Sequence, residues 1–144
     1  MAIVEALRCA ELFRDLSHHT LQVIAGFSSP QSIEAGDTVY QLGDDADYLY
    51  LLDSGRVRFS LGVGNRPNQS GSIITPGDVF GWTALLRDQP RRVATAACLE
   101  DTAVYVIPGI KMLEHFETNS EAGYLTMRRL ATIAARNFMS ALSV

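Results

Sequence analysis

The chain has 144 residues, a formal net charge of −4 and a hydrophobic share of 47%. That length accommodates one domain, residues 1–144, with its own core, and the acidic balance lacks the electrostatic footprint of a nucleic-acid binder. No apolar run approaches the roughly 20 residues that span a bilayer. Glu5 and Arg8 interrupt the N-terminal apolar stretch, so it does not read as a signal peptide. Cys9 and Cys98 stand far apart and outside any Cys-x-x-Cys pair, which leaves a zinc or iron–sulfur site without support. A reduced, cytoplasmic protein with no membrane partner is the expectation.

In chain order, the segment from Ile3 to Ala25 has helical spacing. Leu7, Leu12, Phe13, Leu16, Leu21 and Ile24 share an apolar side across two short helices, with Ser17 as the N-cap between them. Ser28-Ser29-Pro30 ends the helical pattern. From Gln31 to Pro108 turn signals recur: Gly36-Asp37, Gly43-Asp44-Asp45, Asp53-Ser54-Gly55, Arg66-Pro67-Asn68 and Pro76-Gly77-Asp78. Between them lie short β-prone runs, namely Thr38 to Tyr40, Tyr48 to Leu52, Val57 to Leu61, Ser72 to Thr75 and Thr102 to Ile107. Many short strands at this spacing predict an antiparallel sandwich or barrel. The polar loop from Gly62 to Gly71 reads as a hairpin tip.

The tail returns to helical spacing. Ile110 to Phe116 forms one short helix. Ser120 and Glu121 start a longer one that reaches about Leu142. Its apolar side carries Tyr124, Met127, Ala131, Ala134, Phe138 and Leu142, with Arg128, Arg129 and Arg136 elsewhere on its surface. The alanines admit close helix approach, either to this chain's own strands or to a partner's equivalent helix.

The run Gly77-Asp78-Val79-Phe80-Gly81-Trp82-Thr83-Ala84-Leu85-Leu86, followed by Arg92-Val93-Ala94-Thr95, carries the chemistry. A strand-like segment meets glycine, a short apolar helical turn follows, and an arginine returns at the start of another strand. Such a turn aims backbone N–H groups at one phosphate, and the guanidinium neutralises it with forked donors. The blander alternative makes Arg92 a surface residue beside an acidic neighbour such as Asp88. His18 and His19 at a helix junction read as surface or capping residues more readily than as haem ligands. His115, between Glu114 and Glu117, lies on a solvated helical face. Cys9 and Cys98 are expected to be buried apolar residues. No catalytic triad and no metal-ligand pattern stands out, so no catalytic or metal-binding residue is assigned and no enzyme is expected.

Gly36-Asp37 and the run from Gly43 through Asp53-Ser54-Gly55-Arg56-Val57, together with the Gly81 to Arg92 series, resemble the cyclic-nucleotide-binding domains of the catabolite-activator and protein kinase regulatory subunit superfamily. The resemblance spans roughly the whole chain. It implies a mainly β fold with flanking helices: a jelly roll (double-stranded β-helix) with N-terminal helices and a long C-terminal helix.

It also implies a site. Gly81 and Ala84 would offer backbone N–H groups, Arg92 would pair with a cyclic phosphate, and Val93 would contribute only its backbone N–H. Trp82 stands where nucleotide-binding members carry a glutamate that accepts from the ribose 2′-hydroxyl, and an indole has no comparable acceptor. Ordinary cAMP binding is therefore not expected. Trp82 either closes an obsolete pocket or serves as a lid or stacking surface.

The implied function is a regulatory sensor for a small anionic ligand, a cyclic nucleotide or a relative, without any other cofactor. The signal would pass through the C-terminal helix, which commonly forms a homodimer in the family. No helix-turn-helix follows that helix, so DNA is not an expected partner and the output goes to an unidentified protein partner. The alternative is a ligand-free roll that serves as a protein-interaction scaffold.

Overall fold

The computed structural model describes residues 2–60, 73–86, 88 and 90–142. Helix α1 spans Ala2–Cys9, and a 3-10 turn follows at Glu11–Phe13. Helix α2 spans His18–Gly26. Eight strands follow: β1 Ser29–Ile33, β2 Thr38–Tyr40, β3 Tyr48–Ser54, β4 Val57–Ser60, β5 Ile73–Ile74, β6 Val79–Phe80, β7 Thr95–Cys98 and β8 Thr102–Pro108. A second 3-10 turn, Trp82–Leu85, lies between β6 and β7. Helices α3, Gly109–Thr118, and α4, Ser120–Leu142, close the chain.

The strands form two four-stranded sheets, in the orders β1-β8-β3-β6 and β2-β7-β4-β5, with antiparallel pairing throughout. This is the jelly roll with helices at both ends. The Gly62 to Gly71 loop lies outside the described residues. The strands that flank it pair antiparallel, with Val57 opposite Ile74.

Strand β3 decides where the core sits. Leu49, Tyr50, Leu51 and Leu52 are all buried, because both faces of the strand are covered. Leu49 and Leu51 face a helix-side core that includes Leu7, Phe13, Leu21, Ile24, Leu85, Ile107 and Met112. Tyr50 and Leu52 face a roll-side core with Val57, Phe80, Ala96, Cys98 and Val104. The first sheet therefore divides two hydrophobic clusters, and its strands transmit position from one to the other.

The N-terminal helices follow the expected pattern. Ser17 Oγ accepts from the Thr20 N–H at 3.1 Å, the N-cap geometry that favours serine. The Ser29-Pro30 break is itself strand: β1 runs through Pro30, which pairs opposite Tyr105 on β8. Proline is tolerated there because β1 is an edge strand with one neighbour. Cys9 is exposed, contrary to the sequence expectation, because it ends α1 facing outward; Cys98 is buried.

Helix α4 turns only part of its apolar side to the chain's own core. Its buried residues are Ala122, Gly123, Thr126 and Leu130, while Tyr124 and Phe138 are 61% and 64% exposed and Ala131 is exposed too. Asn119 supplies the cap, its Oδ1 accepting from the Ala122 N–H at 3.2 Å. Gly123 lets α4 approach α3, since a Cβ there would stand 2.9 Å from Phe116 Cβ. Arg129 and Arg136 then fix the helix to the N-terminal segment. Arg129 donates to Asp15 at 3.0 Å, and Arg136 grips both carboxylate oxygens of Glu11 at 2.8 and 2.7 Å. The side of α4 that carries Tyr124, Ala131 and Phe138 is thereby turned away from the chain's own core, and Leu142 lies outside the described side chains.

Gly55, in the β3–β4 turn, meets two constraints at once: its φ is +97°, and an added Cβ would lie 2.5 Å from Thr102 Oγ1. Gly36 shares a positive φ of +90° but faces open space. Gly36→Ala is expected to lose about 1–2 kcal/mol of stability from conformation alone. Gly55→Ala should lose roughly 1–3 kcal/mol more from overpacking. Urea titration of both variants measures the difference, and equal losses would refute the steric reading.

Candidate functional site

Strand β6 delivers the chain to the site. Phe80 pairs opposite Tyr50 of β3, and Leu52 and Gly77 tie the strand down through their bonds to Asp78 O and from Gly77 N to Leu52 O, at 3.0 and 2.9 Å. Gly81 then turns at φ +75°, in the left-handed region. Glycine has a second reason to stand here: a Cβ would fall 2.9 Å from Arg92 Nη1. The 3-10 turn Trp82–Leu85 closes on itself. Ala84 N–H donates back to Gly81 O at 3.2 Å, and Leu86 N–H to Thr83 O at 2.9 Å. The Ala84 N–H, expected to face a ligand, is thus occupied within the turn.

Arg92, expected at a strand start, lies in the segment that precedes β7, and this segment is stapled to the Gly43–Ala46 loop. Arg92 N–H donates to Asp44 O at 2.8 Å, Gly43 N–H to Arg92 O at 2.9 Å, and Ala46 N–H to Pro90 O at 3.0 Å. The neighbouring side chains here separate, with only Arg91 in an isolated bridge to Asp45. Arg91 reaches Asp45 at 3.0 Å on the surface, Arg92 points inward, and Val93 is 62% exposed.

Arg92 is 3% exposed, which rules out the surface alternative. Nη1 donates to Gly81 O at 2.9 Å and Nη2 to Tyr48 O at 2.7 Å. The guanidinium carbon lies 4.1 Å above the centre of the Tyr40 ring and 5.7 Å from that of Tyr50, within cation–π range. Nε is buried and has no hydrogen-bond partner among the described residues. Asp88, the proposed neighbour, makes no ion pair with it; Arg92 has no carboxylate within 4.0 Å among the described residues. A buried cation without a counter-ion is costly to keep.

The rings around it form one quartet. Tyr50 stacks on Phe80 at 5.3 Å, Tyr40 lies 6.0 and 6.3 Å from those two, and Phe59 meets Phe80 edge-on at 6.1 Å. Burial pushes the Tyr40 hydroxyl up to about 12, against a smaller opposing pull from Arg92. Burial raises Tyr50 as well. Both phenols are therefore neutral hydrogen-bond donors at ordinary pH.

Trp82 takes the other side. It is half-buried and packs against the helix-side core, while the groups that touch Arg92 lie on the roll side or at Gly81. Of the five expected site residues, the structure brings Gly81 and Arg92 into direct contact, with Ala84 in the adjoining turn. The side chains of Trp82 and Val93 diverge from the guanidinium. Sequence reasoning missed Tyr40, Tyr50 and the Tyr48 carbonyl. The register of β3 against β6, which places Tyr50 opposite Phe80 immediately before Gly81, appears only in the folded structure. His18 and His19 are exposed, and His18 Nδ1 accepts from Arg8 at 2.7 Å. Among the described residues no cluster of three or more His, Cys, Asp or Glu side chains is placed to hold a metal. None of the described helices is long and apolar enough to cross a membrane.

The site continues into the helices. Gly109, the first residue of α3, donates its N–H to Asp47 O at 3.0 Å, and a Cβ there would lie 2.5 Å from Ala84 O. The cassette turn, the start of β3 and the start of α3 meet without room for a methyl group.

Tyr40 gives this geometry a pH signature. Its folded pKa lies above the unfolded value of 10, so the neutral ring's contribution to stability is whole below pH 10 and is lost as the pH climbs through about 12. Spectrophotometric titration of tyrosinate is expected to show a late step near that upper value in the wild type and its loss in Tyr40→Phe. An unchanged titration curve in Tyr40→Phe would contradict the burial.

Comparison with known proteins agrees with this architecture. The family model described as cyclic nucleotide-binding domain matches residues 30–119. A cAMP-dependent protein kinase regulatory subunit from Debaryomyces hansenii is 34% identical over 93 residues, covering 65% of this chain and 19% of that protein. The chain therefore spans about a fifth of that relative's length. The crystal structure of the Thermus thermophilus catabolite activator protein superposes with a TM-score of 0.75 at 26% identity, covering 92% of this chain and 60% of that one. A cyclic nucleotide-binding domain from Methylobacillus flagellatus shares the fold with a TM-score of 0.79 at 20% identity, covering 96% and 77% of the two chains.

Proposed function

This chain belongs to the cyclic nucleotide-binding domain family, and from that premise we propose that residues 1–144 act as one non-catalytic, regulatory sensor of a small anionic ligand. The ligand, a cyclic nucleotide or a related anion, binds at the cassette of Gly81, Trp82, Ala84, Arg92 and Val93. The observation that carries this reading is Arg92, a buried cation whose Nε has no acceptor, and which has no carboxylate beside it, among the described residues. An anion there would supply both the missing charge and the missing acceptor.

Trp82 weakens cAMP relative to a site with a glutamate at that position. The ribose hydroxyl loses a hydrogen bond to a charged acceptor, which costs about 1.5–3 kcal/mol. That is roughly tenfold to a hundredfold in affinity. The signal leaves through contacts already in place. Arg92 holds Tyr48 O, Asp47 O holds Gly109 N–H, and Gly109 abuts Ala84 O. Any displacement of the guanidinium shifts the point where α3 starts, and α4 follows through its contact with α3. The stripe of Tyr124, Met127, Ala131, Ala134 and Phe138 has heptad spacing; Tyr124, Ala131 and Phe138 are exposed while Met127 and Ala134 are half-buried, and the exposed members suit a two-fold pairing of α4 with a second copy. A protein partner in the cytoplasm receives the output, with no role for DNA.

One observation favours the second reading, a scaffold that binds no small molecule: the rings of Tyr40, Tyr50, Phe59 and Phe80 already fill the roll side of the cassette, and Trp82 is anchored in the helix-side core. Calorimetry separates the two. The sensor reading expects weak cAMP binding that strengthens about tenfold or more in Trp82→Glu and vanishes in Arg92→Lys, which keeps a cation but not the fork. Tight cAMP binding by the wild type would overturn the ribose argument. Absence of all anion binding, with Trp82 fluorescence indifferent to every candidate, would favour the scaffold.

The α4 pairing has its own test. Ala131→Glu and Phe138→Asp change exposed residues, so folding should be preserved, and both are expected to shift the mass in light scattering from dimer to monomer. A wild-type protein that is monomeric at high micromolar concentration would end the dimer proposal.

A further inference from the structure

We infer that the anion admitted by this site is a compact oxyanion, the size of a single phosphate, nitrate or carboxylate group, and that Tyr40 is the residue that excludes anything larger. The inference rests on the proposed role of Arg92 and narrows it.

The hydrogen bonds around the guanidinium leave one buried donor unmet. Nη1 and Nη2 each already donate to a backbone carbonyl, Gly81 O and Tyr48 O, while Nε–H has no acceptor among the described residues. One face of the guanidinium is covered by Tyr40 at 4.1 Å. Beyond Tyr40 the quartet is continuous, each ring within 6.3 Å of another. A single oxyanion reaches Nε along the guanidinium edge and asks for nothing else. It neutralises one buried positive charge and leaves the stacked rings in place.

A nucleotide asks for more. Its sugar and base must lie beside the phosphate, where Tyr40, Tyr50, Phe59 and Phe80 pack. Two of these rings resist displacement, because Tyr50 and Phe80 are cross-strand partners in the β3–β6 ladder. Tyr40 differs. It ends β2, an edge strand, and its pairing with β7 carries a register irregularity between Thr38 and Tyr40. Tyr40 is therefore the wall that can be removed without dismantling a sheet. A sugar also brings hydroxyl donors, and the side chain at position 82 offers no acceptor to them.

The experiment is a thermal-shift and calorimetric titration of the full chain with inorganic phosphate, sodium nitrate and cAMP, at constant ionic strength set with sodium chloride. Wild type is expected to bind phosphate or nitrate saturably and more tightly than cAMP. Arg92→Lys should lose that binding. Tyr40→Ala should gain at least about tenfold in cAMP affinity while its phosphate affinity stays within a few-fold of wild type. Tyr40→Phe, which keeps the ring, should still exclude cAMP; Tyr40→Leu replaces the alanine variant if that one does not fold. Wild-type cAMP binding tighter than phosphate binding would overturn this inference and leave the sensor reading standing. Equal stabilisation of wild type and Arg92→Lys by every anion would mean an adventitious ion only and would overturn it as well. No binding of any anion would overturn both.

Discussion

A guanidinium withdrawn from water must find acceptors for its N–H groups, and at Arg92 those acceptors are two backbone carbonyls from separate parts of the chain. Gly81 O belongs to the cassette turn and Tyr48 O to the start of β3. The arginine thus joins the turn to the sheet, and the segment before β7 that carries it is itself held by the Gly43–Ala46 loop. Removing the side chain would take one donor from Tyr48 O, leave Gly81 O with the Ala84 N–H alone, and open a void beside the Tyr40 ring. The left-handed turn at Gly81, the close approach of Gly109 to Ala84 and the ring quartet all depend on where this one cation sits. Hydrogen bonding to carbonyls satisfies some of its donors and none of its charge.

That residual charge connects structure to function. The sheet containing β3 and β8 separates a helix-side core from a roll-side core, and Gly81 lies at the boundary. Trp82 commits the turn to the helix side, whereas Arg92 commits it to the roll side. A group that changes the position of the guanidinium therefore acts on both cores. The mechanical consequence follows from close packing: neither Ala84 nor Gly109 has room to absorb a displacement locally. Helix α4 is held at the far end by Arg129 with Asp15 and Arg136 with Glu11, ion pairs on the surface that are cheap to rearrange.

Much of this was legible in the sequence. The turn glycines and β-prone runs pointed to an antiparallel sandwich or barrel, because a positive φ and a period of two each impose a local rule that tertiary packing seldom overrides, and the family resemblance narrowed this to the roll. Ser17 was readable as a cap for the same reason. What the sequence left open or missed shares a physical cause, since it concerned which side an element turns to its neighbours. Helical periodicity identifies Tyr124, Ala131 and Phe138 as one stripe, but the packing of Gly123 on Phe116 and the grip of Glu11 on Arg136 decide that this stripe faces outward. Pro30 does end the helical pattern, but that it already sits in a strand follows only from the edge position of β1. The cassette's Gly81 and Arg92 were visible through their spacing. Tyr40 was not, because it comes to Arg92 from 52 positions earlier and only the pairing of the second sheet brings it there.

The central claim is that Arg92 carries an unmet electrostatic demand which an anion satisfies. Nuclear magnetic resonance of the arginine side chain reads that demand directly. The Nε–H resonance of Arg92, assigned by its absence in Arg92→Lys, is expected to move saturably as inorganic phosphate is added at constant ionic strength, and to become protected from solvent exchange. An Nε–H resonance that stays in place through the whole titration, and through the same titration with cAMP, would contradict the account.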